Sequence, residues 1–212
     1  MVETIRTERL VLRPLRASDA GPITLHSSDR RVARMTTSIP HPYPPGAAAA
    51  YIEGTLTGRR AEEAWAIDAT QSDGEELIGV ISYKPAHGSG AGELGYWVGP
   101  PYWNAGYATE AVIALAAHLF GARGLDRLDA VAFADNAASA AVLLKAGFRE
   151  IGRSSGFSVA RGEMAENRIF RLERADWARS LEAGSLEPGS LEPGSLENDR
   201  TAGQTARNDR DM

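Results

Sequence analysis

Apolar residues recur along this chain with two periods, and their order predicts a mixed α and β domain. Leu10-Val11-Leu12-Arg13-Pro14 predicts a strand, and Asp19 stands where it would cap the helical segment that follows. A second helical stretch is expected over 47–56, behind the proline-rich loop Pro40-His41-Pro42-Tyr43-Pro44-Pro45. Residues 65–70 and 77–83 predict two strands joined through Ser72-Asp73-Gly74, which suits a short hairpin loop, and 93–98 predicts a third beside them. Across 109–120 the positions Val112, Ile113, Ala116, Leu119 and Phe120 follow i, i+3, i+4 spacing, so one face of a helix is buried there. Residues 128–133 predict the next strand. Asn136 and Gly147 are suited to cap the two ends of a helix between them. Strands at 148–151 and 167–172 close the sheet, with Trp177 packing its end. Antiparallel strands come first and β-α-β-α afterwards, so the expected architecture is α+β. It is a mixed, mostly antiparallel central sheet of about six or seven strands with helices on both faces.

Composition sharpens this picture. With 212 residues, 43% of them apolar, the chain can bury a sizeable core. Residues 180–197 repeat Ser-Leu-Glu-Ala/Pro-Gly units, which oppose a continuous helix and cannot build a core. The expected organisation is therefore a folded domain over 1–179 and a disordered low-complexity tail over 180–212. The net charge of −5 sits mostly in that tail, which holds seven acidic and three basic residues against 21 and 20 in the body. No basic stripe marks a nucleic-acid face. The absence of cysteine excludes disulfides and thiolate chemistry and accords with a reducing compartment. No apolar run is long enough to span a bilayer, and the opening residues are not a secretory signal, so a cytoplasmic location is expected. The four histidines are scattered without ligand spacing, and no metal is expected.

The chemistry concentrates in Tyr102-Trp103-Asn104-Ala105-Gly106-Tyr107-Ala108-Thr109-Glu110-Ala111. A strand that breaks at Gly99-Pro100-Pro101, turns through small residues and enters a helix leaves N–H groups without intrahelical acceptors at the positive end of the helix dipole. That is an anion site in outline, which Gly106 and Ala108 leave open to a diphosphate. Further on, Asn136-Ala137-Ala138-Ser139 is followed by Lys145-Ala146-Gly147-Phe148.

These motifs, with Leu10-Val-Leu-Arg-Pro and Gly95-Tyr96-Trp97-Val98, resemble the GNAT superfamily of acetyl-CoA-dependent N-acetyltransferases over about 6–177. They most resemble its ribosomal-protein-alanine branch. The resemblance implies that backbone amides of Asn104, Ala105, Gly106, Tyr107, Ala108 and Thr109 hold the diphosphate of coenzyme A. By the same resemblance Tyr96, Trp97 and Val98 bond the pantetheine arm like an added strand, Asn136 binds that arm from the next helix, and Ser139 lies near the thioester sulfur. Two positions depart from the superfamily pattern. Trp103 replaces the usual Arg or Gln, and Leu143 replaces a tyrosine that serves many members as the acid, leaving Ser139 as the substitute.

Direct transfer of an acetyl group to an amine needs a neutral amine, an oxyanion stabiliser and a donor to the leaving thiolate. An α-amine, with a pKa of about 8, demands less of a base than a lysine near 10.4. Glu93 is the candidate base, Ser139 the candidate acid, and a main-chain N–H near Val98 the oxyanion donor. Glu110 is expected to complement the helix dipole. His118 is expected to be a packed side chain, and Tyr43 with its prolines either a substrate-facing loop or a rigid surface loop. Three functions stay open: acetylation of a protein N-terminal amine, acetylation of a small amine such as an antibiotic or polyamine, and a non-catalytic coenzyme A-binding module. Monomer and homodimer are both compatible with the sequence.

Overall fold

In the computed structural model, which describes residues 2–86 and 90–184, one eight-stranded sheet carries helices on both faces. The elements in chain order are β1 (Ile5–Arg6), β2 (Val11–Pro14), α1 (Ala20–Ser27), α2 (Arg30–Ala33), α3 (Ala47–Leu56), β3 (Glu63–Asp68) and β4 (Gly79–Pro85). They continue with β5 (Ala91–Val98), α4 (Tyr107–Gly121), β6 (Arg127–Phe133), α5 (Ala137–Lys145), β7 (Arg149–Ser158), β8 (Glu163–Glu173) and α6 (Arg174–Glu182). Strand order is β1-β2-β3-β4-β5-β6-β8-β7, and every neighbouring pair is antiparallel except β5 with β6.

Alternation along the strands divides the core in two. Trp65, Ile67, Ile81, Leu94, Leu128 and Phe170 face α4 and α5, whose Val112, Leu115, Leu119 and Leu143 complete the larger cluster. Ala64, Ala66 and Val80 point the other way, towards Ile23 of α1 and Ala48 and Ile52 of α3. The second cluster draws on β3 and β4 but on no residue of β6, β7 or β8, so that face of the sheet is left for other uses. Trp177 of α6 packs on Phe120 at 6.0 Å between ring centroids.

Several sequence expectations need correction. The eighth strand is β1, two residues long and too short to show a period. Strands β3 and β4 pair, but through a loop over 69–78 with a 3-10 turn at Thr70–Ser72 rather than a short hairpin. Strands β7 and β8 run well beyond 151 and begin before 167, pairing Ser158 with Glu163. Helix α6 continues through Ser180-Leu181-Glu182 of the first tail unit, while residues 185–212 lie outside the described ones.

Asp19 does not cap α1. It is buried, accepts the Arg16 N–H at 2.8 Å, and takes a two-pronged pair of hydrogen bonds from Arg13 at 2.9 Å each. Arg13 also bonds Asp68 at 2.9 Å. Burial pushes the Asp68 carboxyl up, but hydrogen bonds from Thr70 and the Arg13 guanidinium overcome it and hold the group below its ordinary value. Its stabilising contribution is therefore complete above about pH 4 and fades as pH falls through the folded pKa. Arg13→Met leaves two buried carboxylates without their cation, and urea unfolding at pH 7 should show a loss of about 3–5 kcal/mol. That loss should shrink at pH 4.5, where the stranded carboxyls protonate; a loss independent of pH contradicts the network.

Candidate active site

Strands β5 and β6 are paired only from Ala91–Arg127 to Leu94–Ala130, and beyond that rung they diverge. On its other side β5 stays paired with β4 through Val98, and Gly99 donates its N–H to Ile78 at 2.8 Å. Main-chain direction alternates along an antiparallel pair. The Tyr96 N–H and C=O and the Val98 N–H are thereby turned away from β4, into the gap. The Val98 carbonyl is taken up by Trp103 Nε1 at 2.7 Å, so this side chain holds the following turn against the strand end. That gives the first departure from the superfamily pattern a structural role.

The turn itself requires unusual backbone. Asn104 has φ 63° and Gly106 φ 83°. Helix α4 starts at Tyr107, and the Glu110 N–H is the first to find an acceptor, Gly106 O at 3.1 Å. Among the described residues the N–H groups of Ala105, Gly106, Tyr107, Ala108 and Thr109 have no acceptor. Arg9 fixes this cradle from behind. It donates to Ala105 O at 2.9 Å, pairs with Glu110 at 2.6 Å and covers the Tyr107 ring at 4.8 Å. Glu110 also accepts from Thr7 Oγ1 at 2.6 Å and the Arg9 N–H at 3.0 Å, so it anchors α4 to the β1–β2 turn as well as sitting at the positive end of the helix.

Across the gap, Asn136 caps α5 by accepting the Ser139 N–H at 3.1 Å. Ser139 Oγ lies 2.9 Å from the Tyr96 hydroxyl, which also reaches Ser139 O at 3.2 Å. Burial raises the Tyr96 phenol to about 12, against the opposing hydrogen bond from Ser139. Leu143 is fully buried, but a phenol arrives beside Ser139 from another element. Sequence reasoning used Tyr96 only for its main chain. Its side chain was foreshadowed by alternation, which puts it on the same face as Leu94 and Val98.

Tyr96, Trp97, Val98, Asn104, Gly106, Tyr107, Ala108, Thr109, Asn136 and Ser139 all line one cavity of about 1090 Å³. Ala105 is the one candidate outside that lining, and its carbonyl is turned to Arg9. Glu93 lines the cavity too, on the face of β5 that it shares with Trp97 and opposite that of Tyr96. Tyr43, Pro40 and the segment Arg34–Ile39 form a far wall that spacing did not reveal. Arg161 straps that wall. It bonds Asp135 at 3.0 and 2.9 Å and Arg34 O at 3.0 Å, and stacks 4.3 Å above Phe133. Its partners are remote in sequence, so no local signal could find it. His118 is largely buried beside Glu3, 4.0 Å away, its pKa lowered by burial, and His26 lies between Trp97 and Tyr102. His87 is outside the described residues. Among the described residues no three His, Asp or Glu side chains gather as a metal site.

A gap with unpaired strand groups, leading to a helix start rich in free donors, fits a long co-substrate carrying amides and a diphosphate. The acetyltransferase (GNAT) domain profile matches residues 9–149. The chain belongs to the GNAT acetyltransferase family.

The GNAT match sits with broader similarities. The chain is 29% identical over 175 residues to the uncharacterized N-acetyltransferase YoaA of Bacillus subtilis, covering 81% of this chain and 97% of that protein. Mycobacterium smegmatis RimJ in complex with CoA-disulfide superposes with a TM-score of 0.72 at 20% identity, over 86% of this chain and 95% of that one. The ribosomal-protein-S5-alanine acetyltransferase of Vibrio fischeri does so with a TM-score of 0.67 at 22% identity, over 83% and 99%. At such identities these two structures speak to the fold. The family establishes an acetyl-CoA-dependent N-acetyltransferase.

Gly106→Ala tests the cradle. A Cβ in the left-handed region costs about 1–2 kcal/mol and would sit 3.3 Å from the Arg9 guanidinium. Thermal unfolding should shift down accordingly, and coenzyme A affinity measured by calorimetry should fall about tenfold or more. Unchanged affinity would remove this turn from the binding site.

Proposed function

We propose that the chain acetylates the α-amine of a peptide or protein N-terminus. The observation that carries this reading is the charge of the cavity on the Glu93 side. Of the acids lining it, Glu62 is paired with Arg60 at 2.9 Å and Asp135 with Arg161 at 2.9 Å. Glu93 alone has no ion pair among the described residues. Arg31, Arg34 and Lys84 line the same cavity. A polycation such as a polyamine or aminoglycoside calls for several free carboxylates, whereas a single amine of low pKa needs one. The likeness to ribosomal-protein acetyltransferases agrees with this acceptor.

The roles follow from position. The free amides at 104–109 hold the diphosphate, the Tyr96 main chain holds the pantetheine arm, and Asn136 orients it from α5. Acetyl-CoA supplies the activated acetyl group. Glu93 takes the proton that the amine loses, directly or through water. The Val98 N–H faces the oxygen on which negative charge develops. Ser139 donates to the departing sulfur and is re-protonated from Tyr96, which regains its proton from solvent as Glu93 releases the amine's; the raised pKa keeps the phenol protonated between turnovers.

An acceptor panel of short peptides, aminoglycosides and polyamines, followed by thiol release, tests the acceptor. Turnover of peptides is expected; turnover confined to small amines overturns the reading. With a peptide, kcat/KM should rise with pH up to the α-amine pKa of about 8 and then stay level to about pH 10, because the phenol is still protonated. A fall between pH 8 and 10 contradicts Tyr96 as the proton source. Ser139→Ala should lower kcat by about 10² with acetyl-CoA binding intact, and a loss under about tenfold removes the hydroxyl from the chemistry.

A further inference from the structure

The β8 wall of the cavity carries a polar side chain with unused bonding capacity. Asn167 is only 5% exposed, it lines the cavity, and its Oδ1 is buried with no hydrogen-bond partner. Buried amide oxygens are rarely left this way unless something else completes them. The room for the side chain is provided by Gly156 on β7, where a Cβ would lie 2.9 Å from Asn167 Nδ2. Asn167 is paired directly with Phe133, so both side chains stand on the face opposite Leu128, Ala130 and Phe170, on the part of it that α1 and α3 do not reach. Arg161 lies on Phe133, and the Val159 N–H is tied to Thr37 O at 3.1 Å. The groove around Asn167 is thus closed by a fixed wall.

Its chemistry favours a neutral partner. Arg161, which lies on the paired Phe133, is satisfied by Asp135, and the unpaired carboxylate of the cavity, Glu93, lies at the other end. The last β5–β6 rung is at Ala130, which pairs with Phe170 on β8. Glu93 immediately precedes that rung. Asn167 is three positions further along β8, and three residues of strand cover about 10 Å. An extended peptide advances by about 3.3–3.6 Å per residue, so with its amine at the fork its third residue spans about 7–10 Å from that amine and ends level with Asn167. The N–H and C=O of one extended residue point to the same side, matching the acceptor and donor of a single carboxamide.

We propose that Asn167 reads the acceptor's main chain, its carboxamide pairing with the N–H and C=O of the residue about third from the reacting amine. The inference rests on the α-amine reading and narrows it: the substrate is an extended peptide, held by its backbone and not only by its end. Kinetics on the full chain test it with a tetrapeptide amide, the same peptide N-methylated at its third residue, and a single amino-acid amide. Asn167→Ala should lower kcat/KM for the tetrapeptide about tenfold or more, chiefly through KM, and leave the amino-acid amide within about twofold. N-methylation should cost the unsubstituted enzyme a similar factor and Asn167→Ala little more. Because the methylated peptide probes the unsubstituted enzyme, the test does not depend on the variant folding. Equal losses on peptide and single amide, or a methylated peptide as good as its parent, overturn the role of Asn167 alone. Absence of turnover on every α-amine overturns the acceptor reading and this inference with it.

Discussion

The site depends on where a ladder of hydrogen bonds stops. Strands β5 and β6 pair for four rungs and then part at Leu94 and Ala130, while each stays paired to its outer neighbour. A strand held on one side only keeps a row of main-chain donors and acceptors facing the gap, and such groups need partners. Residues on both sides fix the fork. Tyr96 reaches across to Ser139 at the start of α5, and Trp103 closes the Val98 carbonyl. What stays open is an edge suited to amides, running up to a helix start suited to a diphosphate.

The two halves of the sheet use their faces differently. Over β3 and β4 both faces are covered, by α4 on one side and α1 with α3 on the other. Beyond β5 the second face is the wall of the cavity, and its roof comes from the segment behind α2, which Arg161 of the β7–β8 hairpin fastens. Under the proposed function, co-substrate and acceptor approach the fork from opposite faces and meet there without a covalent acyl-enzyme.

Much of this was legible in residue order. The 3.6-residue period bounded α4, Asn136 and Gly147 bounded α5, and the small residues at 104–109 marked the donor-rich turn, because each is dictated by its immediate neighbours. Features made by distant residues were not. Asp19 reads locally as a cap, yet the buried Arg13 draws it into an ion network. Glu110 reads locally as a dipole partner, and only the fold adds Thr7 and Arg9 to it. The Tyr96–Ser139 contact joins a strand to a helix 43 positions away, and the length of β7 and β8 is set by pairing along a polar hairpin with little apolar pattern.

The central claim is that main-chain groups left over at the fork and at the start of α4 grip the co-substrate. Amide hydrogen exchange on the full chain, with and without saturating acetyl-CoA, reads those groups directly. Exchange at 96–98 and at 104–109 should slow about tenfold or more on binding. Saturable binding that leaves both segments exchanging at their free rates would contradict the account.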